Sequence, residues 1–158
     1  MSKWIELAPK HIFFGSKLVC TSNIADLPVM NFFFKKRKMI VKTDKEIIIE
    51  VDNWRSLRVG NMVLVGKLKG LTLFGLVSEG LTLDFDWSVT GPAGFDNSAI
   101  ICNGSVNDTY KVFNKFYPLT IMTKVRIESS NPNCNVHLMA GCLAYLWTFY
   151  ELERIERT

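Results

Sequence analysis

The densest chemistry in the chain is the run Lys35-Lys36-Arg37-Lys38, four cations between Phe32-Phe33-Phe34 and Met39-Ile40-Val41. At a hairpin tip such cations would touch phosphates, and counterion release would make the contact salt-dependent. The run also fits a minimal nuclear-localisation pattern. Nucleic acid is therefore the partner it points to, although lysines on an edge strand serve equally well to discourage strand-to-strand aggregation. Asp84 and Asp86 fall on one face of an expected strand, about 7 Å apart. Two carboxylates so placed could hold a divalent cation or share acid–base work. With only Asp96 as a conceivable third, a solvated outer face is the simpler reading. Cys134, His137 and Cys142 offer three soft ligands, but a zinc site wants two tight ligand pairs. No G-x-S-x-G, H-E-x-x-H, Walker or G-x-G-x-x-G pattern occurs. The chain reads as a non-enzyme with no metal and no cofactor.

Recognition chemistry has two further candidates. The stretch Thr90 to Asn97, TGPAGFDN, is punctuated by Gly91 and Pro92 and carries Phe95 and Asp96. Ordered loops on rigid β scaffolds are common recognition sites, and a buried aromatic such as Phe95 can anchor an interface. Among the four tryptophans, Trp54, beside Arg55 and Arg58, is the one whose neighbourhood suits nucleic acid. Asn103-Gly104-Ser105 and Asn107-Asp108-Thr109 match the glycosylation sequon and are expected to serve simply as polar turns.

The elements that must position these residues announce themselves by alternation. Leu81, Leu83, Phe85, Trp87 and Val89 are apolar with polar residues between them, the pattern of a half-buried strand. The pattern returns at Leu119, Ile121, Val125 and Ile127. Further strands are expected within His11–Thr21, around the Phe32–Val41 basic run, and over Glu46–Val51. Met62–Val77, broken by Gly66, Gly70 and Gly75, reads as one bent strand or two short ones. Asn103-Gly104 is a two-residue hairpin signal after Ala99–Cys102, with Tyr110–Phe113 as its partner or a short helix. Val136–Phe149 is apolar on both faces; a central strand is expected, though periodicity cannot separate it from a buried helix. Tyr150–Arg157 reads as a short helix or tail.

Composition bounds the rest. A chain of 158 residues suits one β-rich domain spanning 1–158. A net charge of +4 permits attraction to nucleic acid without demanding it. From Ser129 to Tyr150 His137 is the only residue of a charged type, yet the apolar stretch falls short of the ~20 residues a spanning helix needs. The start MSKWIELAPK has no apolar signal region. A reducing, cytoplasmic setting with unpaired cysteines is expected, with no membrane span.

Short strands with frequent turn signals predict an all-β fold: an antiparallel two-sheet sandwich with jelly-roll or Greek-key connections and a short C-terminal helix or tail, with a single barrel as the alternative architecture. On its size, its lack of catalytic sets, the strand Leu81–Val89, the loop Thr90–Asn97 and the closing segments Leu119–Glu128 and Val136–Phe149, the chain resembles the single-jelly-roll capsid proteins of small icosahedral viruses. That resemblance implies a virion protein that assembles with itself or other shell proteins edge to edge and packages its genome on a basic inner surface. The chain departs from the family in lacking an Arg-rich N-terminal arm, which leaves Lys35, Lys36, Arg37 and Lys38 to meet the genome. Two other expectations stand beside it. One is a non-enzymatic β-sandwich module binding protein, sugar or lipid in a concave apolar pocket. The other is a small metal-dependent hydrolase using Asp84 and Asp86.

Overall fold

Inward and outward residues alternate along nearly every strand, and the buried set from all of them converges on one core. The computed structural model describes residues 2–12, 15–70, 72–87, 97–103, 108–115 and 122–157. Among these described residues there are twelve strands: β1 (Lys3–Ile12), β2 (Gly15–Ser22), β3 (Asn31–Lys35), β4 (Lys38–Lys42), β5 (Ile47–Asp52) and β6 (Ser56–Val59), then β7 (Met62–Lys69), β8 (Thr72–Ser78), β9 (Leu81–Asp86), β10 (Asn97–Asn103), β11 (Asp108–Lys115) and β12 (Lys124–Ser129). One helix follows, α1 (Val136–Arg157).

The all-β expectation with a C-terminal helix holds, but the two-sheet Greek-key arrangement does not describe this sheet. All twelve strands form a single ladder in the order β2-β1-β12-β11-β10-β9-β8-β7-β6-β5-β4-β3. Every neighbouring pair is antiparallel. From β3 to β12 each strand simply pairs with the next, and β1 returns to lie beside β12. The sheet curls until it nearly closes. Its end strands β2 and β3 approach within 8 Å, Cα to Cα.

What it curls around is α1. Every residue from Leu138 to Thr148 is buried, and a helix that is apolar all round must be enclosed on every side. It packs on β1, β12 and β11 on one flank of the ladder and on β4, β5 and β6 on the other. Val136–Phe149 is thus the first part of a helix rather than a central strand, and the residues to Arg157 continue it. Alanine and leucine at Leu138, Ala140, Leu143, Ala144 and Leu146 are strong helix formers. Asn135 caps the start, its Oδ1 accepting the Leu138 N–H at 3.1 Å. No helix among the described residues is long and apolar enough to cross a membrane.

The polar tips of the helix's aromatics fasten it to opposite walls. Trp147 Nε1 donates to the Thr123 carbonyl at 2.6 Å, and the Tyr145 hydroxyl donates to the Trp54 carbonyl. Glu151, 2% exposed, accepts from the Thr123 hydroxyl at 3.1 Å and from Arg154 Nε at 2.5 Å. Around these contacts, Gly141 and Gly66 permit close approach. A Cβ on Gly141 would lie 2.4 Å from a Val59 methyl, and one on Gly66 would lie 2.7 Å from the Trp54 carbonyl oxygen.

Other sequence expectations resolve in detail. Met62–Val77 is two strands, β7 and β8. His11–Thr21 spans the β1–β2 hairpin; β1 itself went unread because Pro9 and the charged Lys3, Glu6 and Lys10 blur its alternation. Tyr110–Phe113 lies in a strand, not a helix. Asn103 pairs with Asp108, so four residues rather than two connect β10 and β11.

Candidate binding groove

β3 places Phe32 and Phe34 inward and Asn31, Phe33 and Lys35 outward, as the pleat requires. Phe34 meets Trp147 of the helix edge-to-face at 5.0 Å. β3 and β2 are the two ends of the ladder. Along their seam runs a groove of about 500 Å3 lined by Lys17 and Leu18 of β2, Asn31 to Lys35 of β3, and Met122. Its floor is apolar and aromatic: Leu18, Phe32, Phe34 and Met122. Lys17 stands on one bank and Lys35 on the other, and both are exposed.

The basic run continues from that bank. Lys35 and Lys38 form the closing pair of the β3–β4 hairpin. Lys36 and Arg37 make the two-residue turn, with φ of 52° and 64°. Such turns need positive φ at both central residues and favour Asn-Gly; lysine and arginine there cost about 1–2 kcal/mol each. Like charges directly opposite one another, Lys35 and Lys38, add a further local cost. All four cations are exposed, and Arg37 is also engaged. Its guanidinium contacts Glu156 of α1 and Asn53 of the β5–β6 turn, each at 3.3 Å. The Asn53 N–H in turn donates to the Arg37 carbonyl at 2.8 Å.

The remaining sequence candidates fall elsewhere. Gly91, Pro92, Phe95 and Asp96 lie outside the described residues. Asp84 and Asp86 are exposed on the outer face of β9. His137 is exposed in the first turn of α1 while Cys142 is fully buried, and among the described residues no three His, Cys, Asp or Glu side chains gather as a metal site would require. The four cysteines are unpaired. Burial pushes the Cys20 thiol up to about 11 and the Cys142 thiol up to about 12. Trp54 is half-buried beneath the helix, with Arg55 exposed next to it, while Arg58 is paired with Glu50 at 2.9 Å.

A smaller recess of about 290 Å3 opens at the end of α1, between Trp54, Leu68, Leu73 and Phe149, with Glu153 and Glu156 on its rim. Sequence reasoning found the cations and Phe32–Phe34 but not the groove. Only the pairing order reveals that β2 and β3 are left facing each other. No protein-family model, curated protein or solved structure matches the chain.

Proposed function

We propose that this protein is a non-enzymatic binding domain whose ligand lies in the seam between β2 and β3. The observation that carries the reading is the groove itself, whose volume of about 500 Å3 falls in the range of small-molecule sites. The neighbouring turn supports it. A hairpin that keeps Lys36 and Arg37 at positive φ departs from the local rules of stability, and such departures concentrate at functional positions. Saturable, one-to-one binding of the fluorescent anion anilinonaphthalene sulfonate is the expected result. Asn31→Trp, which sets a large ring over the groove from an exposed position, should abolish it. Binding that survives this substitution, or no binding at all, refutes the reading. Tight, salt-sensitive capture of single-stranded oligonucleotide would instead favour the nucleic-acid role of Lys35–Lys38.

Self-assembly is a second reading, resting on the outer face of β7. Val63 and Val65 are 52% and 56% exposed there, adjacent on one strand face and large enough together to seed a contact between copies. Light scattering tests it. A large closed particle that Val63→Lys with Val65→Lys converts to monomer would establish assembly through this face; a monomer at all concentrations would exclude it.

A further inference from the structure

We infer that the groove's ligand is a free long-chain carboxylate, its alkyl chain along β3 and its carboxylate between Lys17 and Lys35. The inference rests on the binding-domain reading and narrows it to a chemical class.

The seam's width separates the candidate occupants. An unpaired strand edge on each side would suit an extended peptide, since main-chain hydrogen bonds could be made to both. An inserted strand, however, needs two ladder spacings, roughly 9.6 Å between β2 and β3. The edges come closer than that, within 8 Å at their nearest. Geometry adds a second obstacle. Twelve strands with every neighbour antiparallel leave the two end strands antiparallel to each other, so an inserted strand would be forced parallel to one of them. A polymethylene chain is thinner than a strand and needs no hydrogen-bond partners.

The lining chemistry agrees. The floor of Leu18, Phe32, Phe34 and Met122 presents apolar surface to the chain. Among the described residues, the charged ones lining this groove are both cations, Lys17 and Lys35, and Lys36 and Lys38 next to them extend the positive field. A carboxylate between two ammonium groups makes charge-assisted hydrogen bonds. A neutral amphiphile would leave that field unanswered.

Calorimetric titration of the full chain with octanoate, decanoate and dodecanoate, each below its micellar concentration, tests the inference. Affinity should rise about fourfold per added methylene until the groove is filled. Dodecanol should bind about tenfold more weakly than dodecanoate. Lys17→Gln with Lys35→Gln should bring the two ligands level, while Lys45→Gln with Lys111→Gln, equal in charge but not lining the groove, should not. Dodecanol and dodecanoate binding equally well would overturn the carboxylate assignment while leaving the groove reading intact. No binding by either, together with no binding of anilinonaphthalene sulfonate, would overturn both. Retention on anionic phospholipid vesicles without binding of free dodecanoate would place the ligand in a membrane and overturn the free-acid assignment.

Discussion

Replacing Gly141 by alanine adds one methyl group where the helix touches the barrel wall, and the sign of its effect should depend on a single residue across the contact. The added Cβ would sit 2.4 Å from a Val59 methyl, with the Leu57 methyls at 3.6 and 3.7 Å. Carbon atoms rest at about 3.5–4.0 Å, so the Val59 contact is more than 1 Å too short while the Leu57 contacts are comfortable. Val59 is packed and β-branched, with little rotamer freedom to yield. Overpacking of this kind costs about 1–3 kcal/mol, against a gain of about 1 kcal/mol from glycine to alanine within a helix. Gly141→Ala alone should therefore destabilise by about 1 kcal/mol. Val59→Ala alone should cost about 2 kcal/mol through lost burial and a cavity. In that background the same Gly141→Ala should stabilise, by about 1 kcal/mol, because the clash is gone and the new methyl fills part of the void. The assay is urea unfolding of the four proteins at constant m-value. A Gly141→Ala that stabilises the wild type, or that has the same effect in both backgrounds, refutes the close packing of α1 on β6.

Lys36→Gly should raise stability by about 1 kcal/mol, a gain of a few degrees in Tm, by removing the cost of a positive φ from the β3–β4 turn; a lower Tm would mean that the turn holds this shape without strain. From neutral pH, stability should hold to about pH 8.5 and then fall, because Cys20, Cys142, Tyr145 and Tyr150 are all raised, chiefly by burial. Their neutral forms are the ones the fold holds, so the contribution is complete below the ordinary thiol and phenol values. It is lost as pH climbs towards about 11 and 12 for the two thiols, at up to ~1.4 kcal/mol per pH unit for each group. A urea midpoint unchanged from pH 8 to pH 10.5 would contradict this. Asn114 on β11 is buried, and neither its oxygen nor its nitrogen is hydrogen-bonded among the described residues. Asn114→Leu should stabilise by about 1–2 kcal/mol in thermal unfolding; a loss of that size would reveal a polar partner.

Strand after strand was legible because one face of each meets the core and the other meets water. β9 is the clearest case: Leu83 and Phe85 are buried, and Asp84 and Asp86 are exposed. β12 follows with Val125 and Ile127 inward. α1 was not legible for the opposite reason. An element enclosed on every side has no polar face, so its period disappears, and alternation cannot distinguish the helix from a central strand. That ambiguity propagated to the architecture. A central strand at Val136–Phe149 calls for two packed sheets, whereas a central helix calls for one sheet wrapped around it. The groove was hidden at a further remove. Phe32–Phe34 and Lys35–Lys38 were visible as types, but Lys17 and Leu18 join them only because β1 pairs with β12 and leaves β2 at the end of the ladder.

The helix that fills the barrel comes after all twelve strands in the chain. During synthesis the entire sheet is therefore made before the residues that complete its core. Until Leu138 to Leu152 emerge, Ile5, Leu7, Met39, Val41, Ile49 and Leu57 have no helix to face, and the edges of β2 and β3 have little reason to curl together. Nascent sheet with open edges is the state most prone to pair with the wrong neighbour. Folding should be slow as well, because the strands the helix must find include β1, laid down more than a hundred residues earlier. A stop anywhere before Asn135 would release a shell without its filling, an aggregating species rather than a smaller version of the same domain.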